Sequence, residues 1–171
     1  MKSVFSYRLD ELCKKLPGDC GEVAISVAEE AGAITELYFH NHMPAAFAKA
    51  EMRREQTRLI KEAAAQLKKY FAGKLRDFSL PLAMRGTEFQ KSVWQALEAI
   101  PYGETRSYKE IAALVGRPSA SRAVGMANNR NPVSIIVPCH RVLGHSGALV
   151  GYGAGLPLKV FLLALEESNL F

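Results

Sequence analysis

Apolar residues follow two different periodicities in the first half of the chain. Two runs rich in β-branched and aromatic residues, at positions 23–27 and 34–40, flank the turn-like segment 29–32 and predict a β-hairpin. Over residues 53–71 apolar side chains recur at helical spacing, and Gly73 follows as a stop signal. The pattern therefore predicts a small α/β domain that contains a hairpin or a sheet.

The segment FSLPLAMRG interrupts these periodicities with a proline and a glycine. We place a domain boundary near residues 79–86. It separates an N-terminal structural domain of residues 1–82 from a C-terminal domain of residues 86–171.

Short helices and turns fill the second half of the chain. Thr87 with Gln90, and Ser107 with Glu110, form two capping boxes, and each box marks the start of a helix. The second of these helices is predicted to run through Val115.

A tight turn at residues 116–119 precedes a third predicted helix, which extends from Ser121 and must end before Asn131-Pro132. Two short helices joined by a glycine-containing turn are typical of a helix-turn-helix. An ordinary helical hairpin fits the same pattern.

The C-terminal end of the chain predicts one more strand and one more helix. Residues 134–137 are predicted to form a short buried strand. After the glycine-rich segment 144–155, Pro157 occupies the position of a first helical residue, and Glu166 lies near the end of that helix. The predicted fold class is α+β, with a mostly helical C-terminal domain.

Composition indicates an ordinary globular protein, since 49% of the 171 residues are hydrophobic and 23% are charged. The longest apolar stretch near the end of the chain, residues 160–165, is far shorter than the roughly 20 residues of a membrane span. Asp10 and Glu11 lie where a secretory signal would need apolar residues. Three cysteines are an odd number for a disulfide framework. We expect a cytoplasmic protein, or a nuclear one in a eukaryote, with no membrane partner.

The positive charge is concentrated in one segment. The formal net charge is +5, and residues 106–141 contain six basic residues and one acidic residue, whereas the rest of the chain contains 16 of each. The basic residues of this segment are Arg106, Lys109, Arg117, Arg122, Arg130 and Arg141. A single electropositive face is expected, which favours a nucleic acid partner and a helix-turn-helix.

Cys139 and His140 form the candidate reactive pair. A thiol reacts as its thiolate, and a free thiol is mostly protonated at neutral pH, so Cys139 would need a base. Adjacent side chains of a strand point to opposite faces, so His140 can assist only if the backbone turns after Pro138 or if a water molecule connects the two. Glu166 is the best candidate for a carboxylate that orients the histidine. An inert core cysteine is the alternative.

The segment Pro138-Cys139-His140-Arg141-Val142 matches the P-C-H-R-V signature of the O6-alkylguanine-DNA alkyltransferases, also called methylated-DNA-protein-cysteine methyltransferases. The segments SYKEIAALVGRPSASRAVGMANNRNP and SGALVGYGAGLPLKVFLLALE resemble the same family, so the resemblance covers residues 86–171. It implies DNA repair by irreversible, stoichiometric transfer of an alkyl group from O6 of guanine, or O4 of thymine, in double-stranded DNA. It implies a monomer without a cofactor.

The resemblance implies five catalytic residues. Cys139 resembles the alkyl acceptor, activated through a water molecule by His140, which Glu166 orients. Tyr108 resembles the tyrosine that crowds the DNA phosphate and donates a proton toward the departing guanine. Asn131 resembles the hinge asparagine between the recognition helix and the active-site strand. Without the motif, Tyr108 and Asn131 also fit structural roles, as a packed side chain and a helix stop.

The resemblance further implies minor-groove docking and nucleotide flipping. Arg122 resembles the arginine that fills the gap left by the flipped nucleotide, although taken alone it also fits a solvated surface charge. Ala123 and Gly125 keep the recognition helix slim. The other residues expected to contact DNA are Ser107, Tyr108, Met126 and Arg130.

The same resemblance implies that Val142, Tyr152 and Gly153 line the guanine pocket. Gly153 stands where many relatives carry a serine whose side chain contacts O6. The backbone N–H of Gly153 can still donate, so a weaker contact with O6 is expected.

The N-terminal half offers a set of possible zinc ligands in Cys13, Cys20, His40 and His42, and some relatives bind zinc in this domain. The spacing C-x6-C with H-x-H is not a standard zinc pattern. We therefore predict no metal site.

Two other classes of function are compatible with parts of the sequence. A protein that binds lesions without chemistry would use the same pocket, but superfamily members that only bind have lost the cysteine. A cysteine hydrolase would use Cys139 and His140, although their adjacent order differs from a papain-type arrangement.

Overall fold

The structure is a computed structural model that describes residues 1–9 and 23–169. Two compact units divide the chain, Met1–Met84 and Arg85–Phe171. The first holds a β-sheet and the second is mostly helical, so the predicted α+β fold class is confirmed.

A four-stranded sheet forms the base of the N-terminal unit, in the order β3-β2-β1-β4. Its strands are β1 (Ser3–Arg8), β2 (Ala24–Glu30), β3 (Ala33–Phe39) and β4 (Arg53–Arg54). Strands β2 and β3 pair antiparallel and confirm the predicted hairpin. The connecting residues Ala31 and Gly32 have φ angles of 53° and 79°, the left-handed pair that a tight hairpin turn requires.

Two helices accompany the sheet, α1 (Ala45–Ala48) and α2 (Arg58–Phe71). The predicted helix over residues 53–71 was wrong at its start, because β4 pairs with β1 there and Thr57 caps the helix by accepting from the Ile60 amide. Gly73 follows with a φ of 70°, as the stop signal predicted. The helix buries its apolar face, of which Ile60, Ala63, Leu67 and Tyr70 are fully buried.

The C-terminal unit contains helices α3 (Glu88–Glu98), α4 (Tyr108–Leu114), α5 (Ser121–Asn129) and α6 (Leu156–Ser168). Both predicted capping boxes are present, with Thr87 and Gln90 at the start of α3 and Ser107 and Glu110 at the start of α4. Helices α4 and α5 pack together as the predicted helix-turn-helix. The Trp94 indole N–H donates to the Ala127 carbonyl at 2.9 Å, which fixes α3 against α5.

Residues 134–137 form a tight turn, so the strand predicted there was wrong. The Asn131 amide group donates to the Val137 carbonyl at 2.8 Å and accepts from the Val133 amide at 3.0 Å. Ile135 takes a left-handed φ of 74°, which is unusual for a β-branched residue. These side-chain bonds occupy the Val137 carbonyl and the Val133 amide, which a β-sheet would need for pairing. The segment therefore forms a turn and no strand.

Two short parallel strands, β5 (Arg106–Ser107) and β6 (Val142–Leu143), join the start of α4 to the segment that follows residue 141. Helix α6 begins after Gly155, with Pro157 in its first turn as predicted. Among residues 1–9 and 23–169, no helix is long and apolar enough to cross a membrane.

Candidate active site

Cys139 is a buried free thiol at the start of a 3₁₀ turn, Cys139–Arg141, that directly follows Pro138. The backbone therefore turns after Pro138, as direct contact between Cys139 and His140 would require. Burial raises the pKa of the Cys139 thiol, whereas the Asn131 amide, the Lys159 ammonium and the Tyr152 hydroxyl act in the opposite direction. The resting cysteine is a protonated thiol at neutral pH, so its reaction needs a base.

His140, the next residue along the chain, is a buried, neutral imidazole. Burial lowers the pKa of His140, and this effect prevails over the opposing Glu166 carboxylate. The ring Nε2 lies 2.8 Å from Glu166 Oε1. Because a carboxylate only accepts, this bond sets the proton on Nε2 and leaves Nδ1 as the basic nitrogen.

Glu166 is 1% exposed and accepts four hydrogen bonds, two at each carboxylate oxygen. Oε1 accepts from His140 Nε2 and Arg141 Nη2, and Oε2 accepts from Arg141 Nε and from the Gly103 amide. Arg141 also donates to the Ile100 carbonyl at 2.6 Å. The carboxylate is thus fixed in place and its charge is compensated within the unit.

Arg141 is 7% exposed, so it does not belong to the electropositive surface that the sequence predicted for residues 106–141. Its guanidinium neutralises Glu166 instead. The spacing of charges along the sequence could not distinguish a solvated arginine from one that pairs across the core.

Lys159 is a buried cation that the sequence analysis missed. Its Nζ donates to the Val142 carbonyl at 2.6 Å and to the Val150 carbonyl at 3.2 Å, which ties α6 to the segment after the cysteine. Its positive charge favours the thiolate of Cys139. The signal available in the sequence was a single lysine within the otherwise apolar stretch 156–165. A lysine buried with such a stretch needs polar partners.

Two asparagines support the backbone around the thiol. Asn131 spans the turn that leads to Cys139, as described above. Asn128, near the end of α5, donates to the Cys139 carbonyl at 3.3 Å. Sequence reasoning missed Asn128, which links the second helix of the helix-turn-helix directly to the reactive residue.

The predicted pocket residues differ in their burial and in their relation to Cys139. Tyr152 lies near Cys139. Burial and the charge of the Cys139 thiolate both raise the pKa of its hydroxyl well above its usual range. Val142 is fully buried, and Gly153 is partly exposed. Tyr108 is half-buried at the start of α4, and burial, followed by the Cys139 charge, raises the pKa of its hydroxyl. Both phenols therefore stay protonated at neutral pH.

The residues predicted to contact DNA lie around the helix-turn-helix. An open groove of about 750 Å³ is lined by Ser107, Tyr108, Arg122 and Gly125, among others. The Ser107 hydroxyl caps α4 by accepting from the Glu110 amide at 3.2 Å. The residues of α5 and its end that are exposed to solvent are Arg122, Ala123, Met126, Asn129 and Arg130. Met126 is 60% exposed.

The possible zinc ligands divide between described and undescribed residues. Cys13 and Cys20 lie outside the described residues. The His40 ring Nε2 is hydrogen-bonded to the Ser26 hydroxyl at 3.0 Å, and His42 ends the short 3₁₀ turn His40–His42.

Two family models match the chain. One is described as 6-O-methylguanine DNA methyltransferase, ribonuclease-like domain, and matches residues 24–84. The other is described as 6-O-methylguanine DNA methyltransferase, DNA binding domain, and matches residues 88–168.

Curated relatives and solved structures agree with these models. The methylated-DNA–protein-cysteine methyltransferase of Methanosarcina barkeri is 63% identical over 116 residues, which are 68% of this chain and 73% of the relative. That of Mycobacterium leprae is 64% identical over 106 residues, 62% of this chain and 64% of the relative.

The crystal structure of Mycobacterium tuberculosis O6-methylguanine methyltransferase is 41% identical to this chain, and the match covers 99% of this chain and 94% of that structure with a TM-score of 0.82. The structure of Mycobacterium tuberculosis OGT in complex with DNA is 41% identical, covers 98% and 94%, and gives a TM-score of 0.83. The chain therefore belongs to the methylated-DNA–protein-cysteine methyltransferase family, as its P-C-H-R-V segment predicted.

Proposed function

We propose that this protein repairs double-stranded DNA by a single irreversible transfer of an alkyl group from O6 of guanine to Sγ of Cys139. The observation that carries the proposal is the cluster beside the thiol, in which neutral His140 is hydrogen-bonded to Glu166 and Glu166 is in turn held by Arg141. Residues 86–171 would carry both DNA binding and chemistry, residues 1–82 would be structural, and the protein would act as a monomer without a cofactor. It would act on chromosomal DNA in the cytoplasm, or in the nucleus of a eukaryote.

The proton and electron movements of this transfer balance within the protein and its substrate. His140 removes the thiol proton of Cys139 through a water molecule, and Glu166 stabilises the imidazolium that results. The thiolate attacks the alkyl carbon, so an S–C bond forms as the C–O6 bond breaks. Tyr108 donates a proton toward the departing guanine, and the imidazolium of His140 returns the thiol proton to that tyrosine, so both side chains regain their starting state. The net result moves one proton from sulfur to guanine and one alkyl group in the reverse direction.

A thioether has no hydrolytic route back to a thiol, so each protein molecule is expected to react once. With excess O6-methylguanine duplex, the methyl groups transferred should equal the protein molecules present. Mass spectrometry should find one methyl group per chain, on the peptide that contains Cys139. Sustained turnover would refute the single-transfer mechanism, an unmodified chain would indicate a lesion-binding protein, and a transient acyl adduct with turnover would indicate a hydrolase.

DNA docking through the exposed side of α5 is the second part of the proposal. Ala123 and Gly125 have little side-chain bulk, so a groove surface can approach the helix backbone. A flipped guanine would enter the pocket of Val142, Tyr152 and Gly153, where the Gly153 N–H would face O6. Ser107, Met126 and Arg130 would contact the surrounding DNA.

Arg122→Ala is expected to slow repair in duplex DNA far more than reaction with free O6-methylguanine base. An inserted arginine compensates for unstacking, which costs a few kcal/mol per base, so its loss should slow the duplex reaction by roughly tenfold to a hundredfold. Single-turnover rates on both substrates measure the difference. Lys109→Ala is the matched control. It should mainly weaken duplex binding and reduce the slope of log K against log salt by about 0.9. Equal loss on duplex and free base would show that Arg122 supports the pocket or the fold instead.

A further inference from the structure

His145 is an exposed histidine that has no part in the chemistry proposed above. It lies in the short turn His145–Gly147, which lines the same 750 Å³ groove as Tyr108, Lys109 and Arg122. His145 thus shares a surface with the residues that we assign to DNA. Any DNA backbone seated in this groove would meet the histidine.

Backbone pairing holds this turn in place. Strand β6 pairs with β5 in parallel, and the register joins Leu143 to Ser107, the residue that caps α4. The Gly144 amide donates to the Ala148 carbonyl at 2.8 Å, and the Ala148 amide donates to the His145 carbonyl at 3.2 Å. The turn is therefore closed on itself two residues beyond a strand that is fixed to the start of α4.

The ring of His145 is oriented by its neighbour. Its Nδ1 lies 2.7 Å from the Ser146 hydroxyl, which can donate to a neutral ring or accept from a charged one. This contact persists in both protonation states, so titration need not move the ring. The other ring nitrogen, Nε2, is the one available to a ligand in the groove.

The groove offers His145 an environment that is net positive. The charged or titratable side chains that line the groove with it are Arg106, Tyr108, Lys109, Glu110 and Arg122. Arg106 is paired with Glu104 at 2.8 Å. Lys109 and Arg122 remain as exposed cations opposed by one carboxylate, that of Glu110.

The two remaining groups do not titrate near neutral pH. The hydrogen bond from the Ser107 amide lowers the pKa of Glu110, so its carboxylate stays ionised. Burial raises the pKa of Tyr108, so its hydroxyl stays neutral. Of the titratable groups that line the groove, only His145 belongs to the residue type that changes charge between about pH 5 and 8.

We propose that DNA binding by this protein is linked to protonation, with His145 taking up one proton from solvent as a backbone phosphate enters the groove beside Lys109 and Arg122. The negative charge of a phosphate beside the ring favours the charged imidazole, which donates a charge-assisted hydrogen bond from Nε2. This inference rests on the proposed DNA face of the helix-turn-helix and adds a pH-dependent contact to it.

The salt dependence of binding measures this contact directly. Binding of an unmodified duplex oligonucleotide would be measured over a range of salt concentrations at about pH 5.8 and about pH 7.8, either side of the histidine range. The wild-type slope of log K against log salt should be steeper by about 0.9 at the lower pH, because one further phosphate is neutralised. The affinity at fixed salt should rise by about twofold to fivefold, as for an exposed ion pair.

Three variants separate His145 from other causes. His145→Gln keeps a polar side chain without a titratable ring and should show the shallow slope at both pH values. His145→Lys carries a permanent charge and should show the steep slope at both. His42→Gln changes a histidine of the N-terminal unit and should retain the pH dependence of the wild type.

A wild-type slope that is equal at the two pH values, or a pH dependence that survives in His145→Gln, would overturn the proposal. Because the duplex carries no lesion, binding is read without alkyl transfer. A failure here would leave the methyl adduct on Cys139 intact, whereas failure of the proposed function would appear as the absence of that adduct at any pH.

Discussion

Replacing Cys139 with alanine is expected to abolish alkyl transfer and to leave duplex binding nearly unchanged. The thiol is 4% exposed in the free protein, so it contributes little surface to a DNA contact. It does supply the sulfur that forms the new bond, and no neighbouring group can replace it. Transfer would be followed by mass spectrometry with O6-methylguanine duplex, and binding by fluorescence anisotropy with the unmodified duplex.

The other two cysteines of the chain provide the control for this experiment. A Cys13→Ser/Cys20→Ser double variant retains Cys139 and should transfer one methyl group per chain at the wild-type rate. Residual methylation of Cys139→Ala would show a second acceptor. Loss of DNA binding together with transfer would show that the alanine had disturbed the turn after Pro138, and the cysteine would then have a structural role as well.

Local rules were enough to predict much of this fold. The hairpin at residues 29–32 and the two capping boxes depend on residues that are close in sequence, and the structure contains all three. The start of α2 was misplaced because Arg53 and Arg54 pair with β1, a partner about 50 residues away. A helical period cannot reveal such a competing strand contact.

The failure at residues 134–137 has a different, local origin. The sequence there is apolar and β-branched, which favours a strand. Asn131 instead bonds to the backbone at both ends of the segment, and Ile135 takes a left-handed conformation. Strand propensity does not take such local bonds between a side chain and the backbone into account.

The chemistry of the cluster was predictable only in part. Adjacent Cys139 and His140 can be recognised in the sequence, and a distant Glu166 can be proposed as the orienting carboxylate. The burial of Arg141 and Lys159 was not foreseen, because lysine and arginine are almost always exposed unless they are paired. Their partners are a carboxylate and three backbone carbonyls that come together only in the folded unit.

Glu166→Gln is expected to slow alkyl transfer by roughly 10² or more, the contribution of a general base. Glutamine matches glutamate in size but has a single acceptor oxygen, whereas the two oxygens of Glu166 accept from four donors. Two of those donors must therefore face the NH₂ group of the glutamine. The variant also loses the negative charge that opposes the lowering of the His140 pKa. His140 becomes a weaker base, so the rate should rise only at higher pH, where solvent can form the thiolate. Single-turnover rates across the pH range measure this shift.

Stability must be separated from chemistry in this variant, because leaving Arg141 without its buried partner is expected to cost about 3–5 kcal/mol. Arg141→Lys provides the comparison: it loses the paired guanidinium contacts while Glu166 can still hold His140, so it should lower the Tm but keep the wild-type pH profile. Glu167→Gln removes an exposed carboxylate from the same helix and should change neither. Rates would be measured at a temperature at which circular dichroism shows every variant folded. If Glu166→Gln and Arg141→Lys lost activity equally and with an unchanged pH profile, Glu166 would be a structural partner of Arg141, and the relay from the carboxylate through His140 to Cys139 would have to be abandoned.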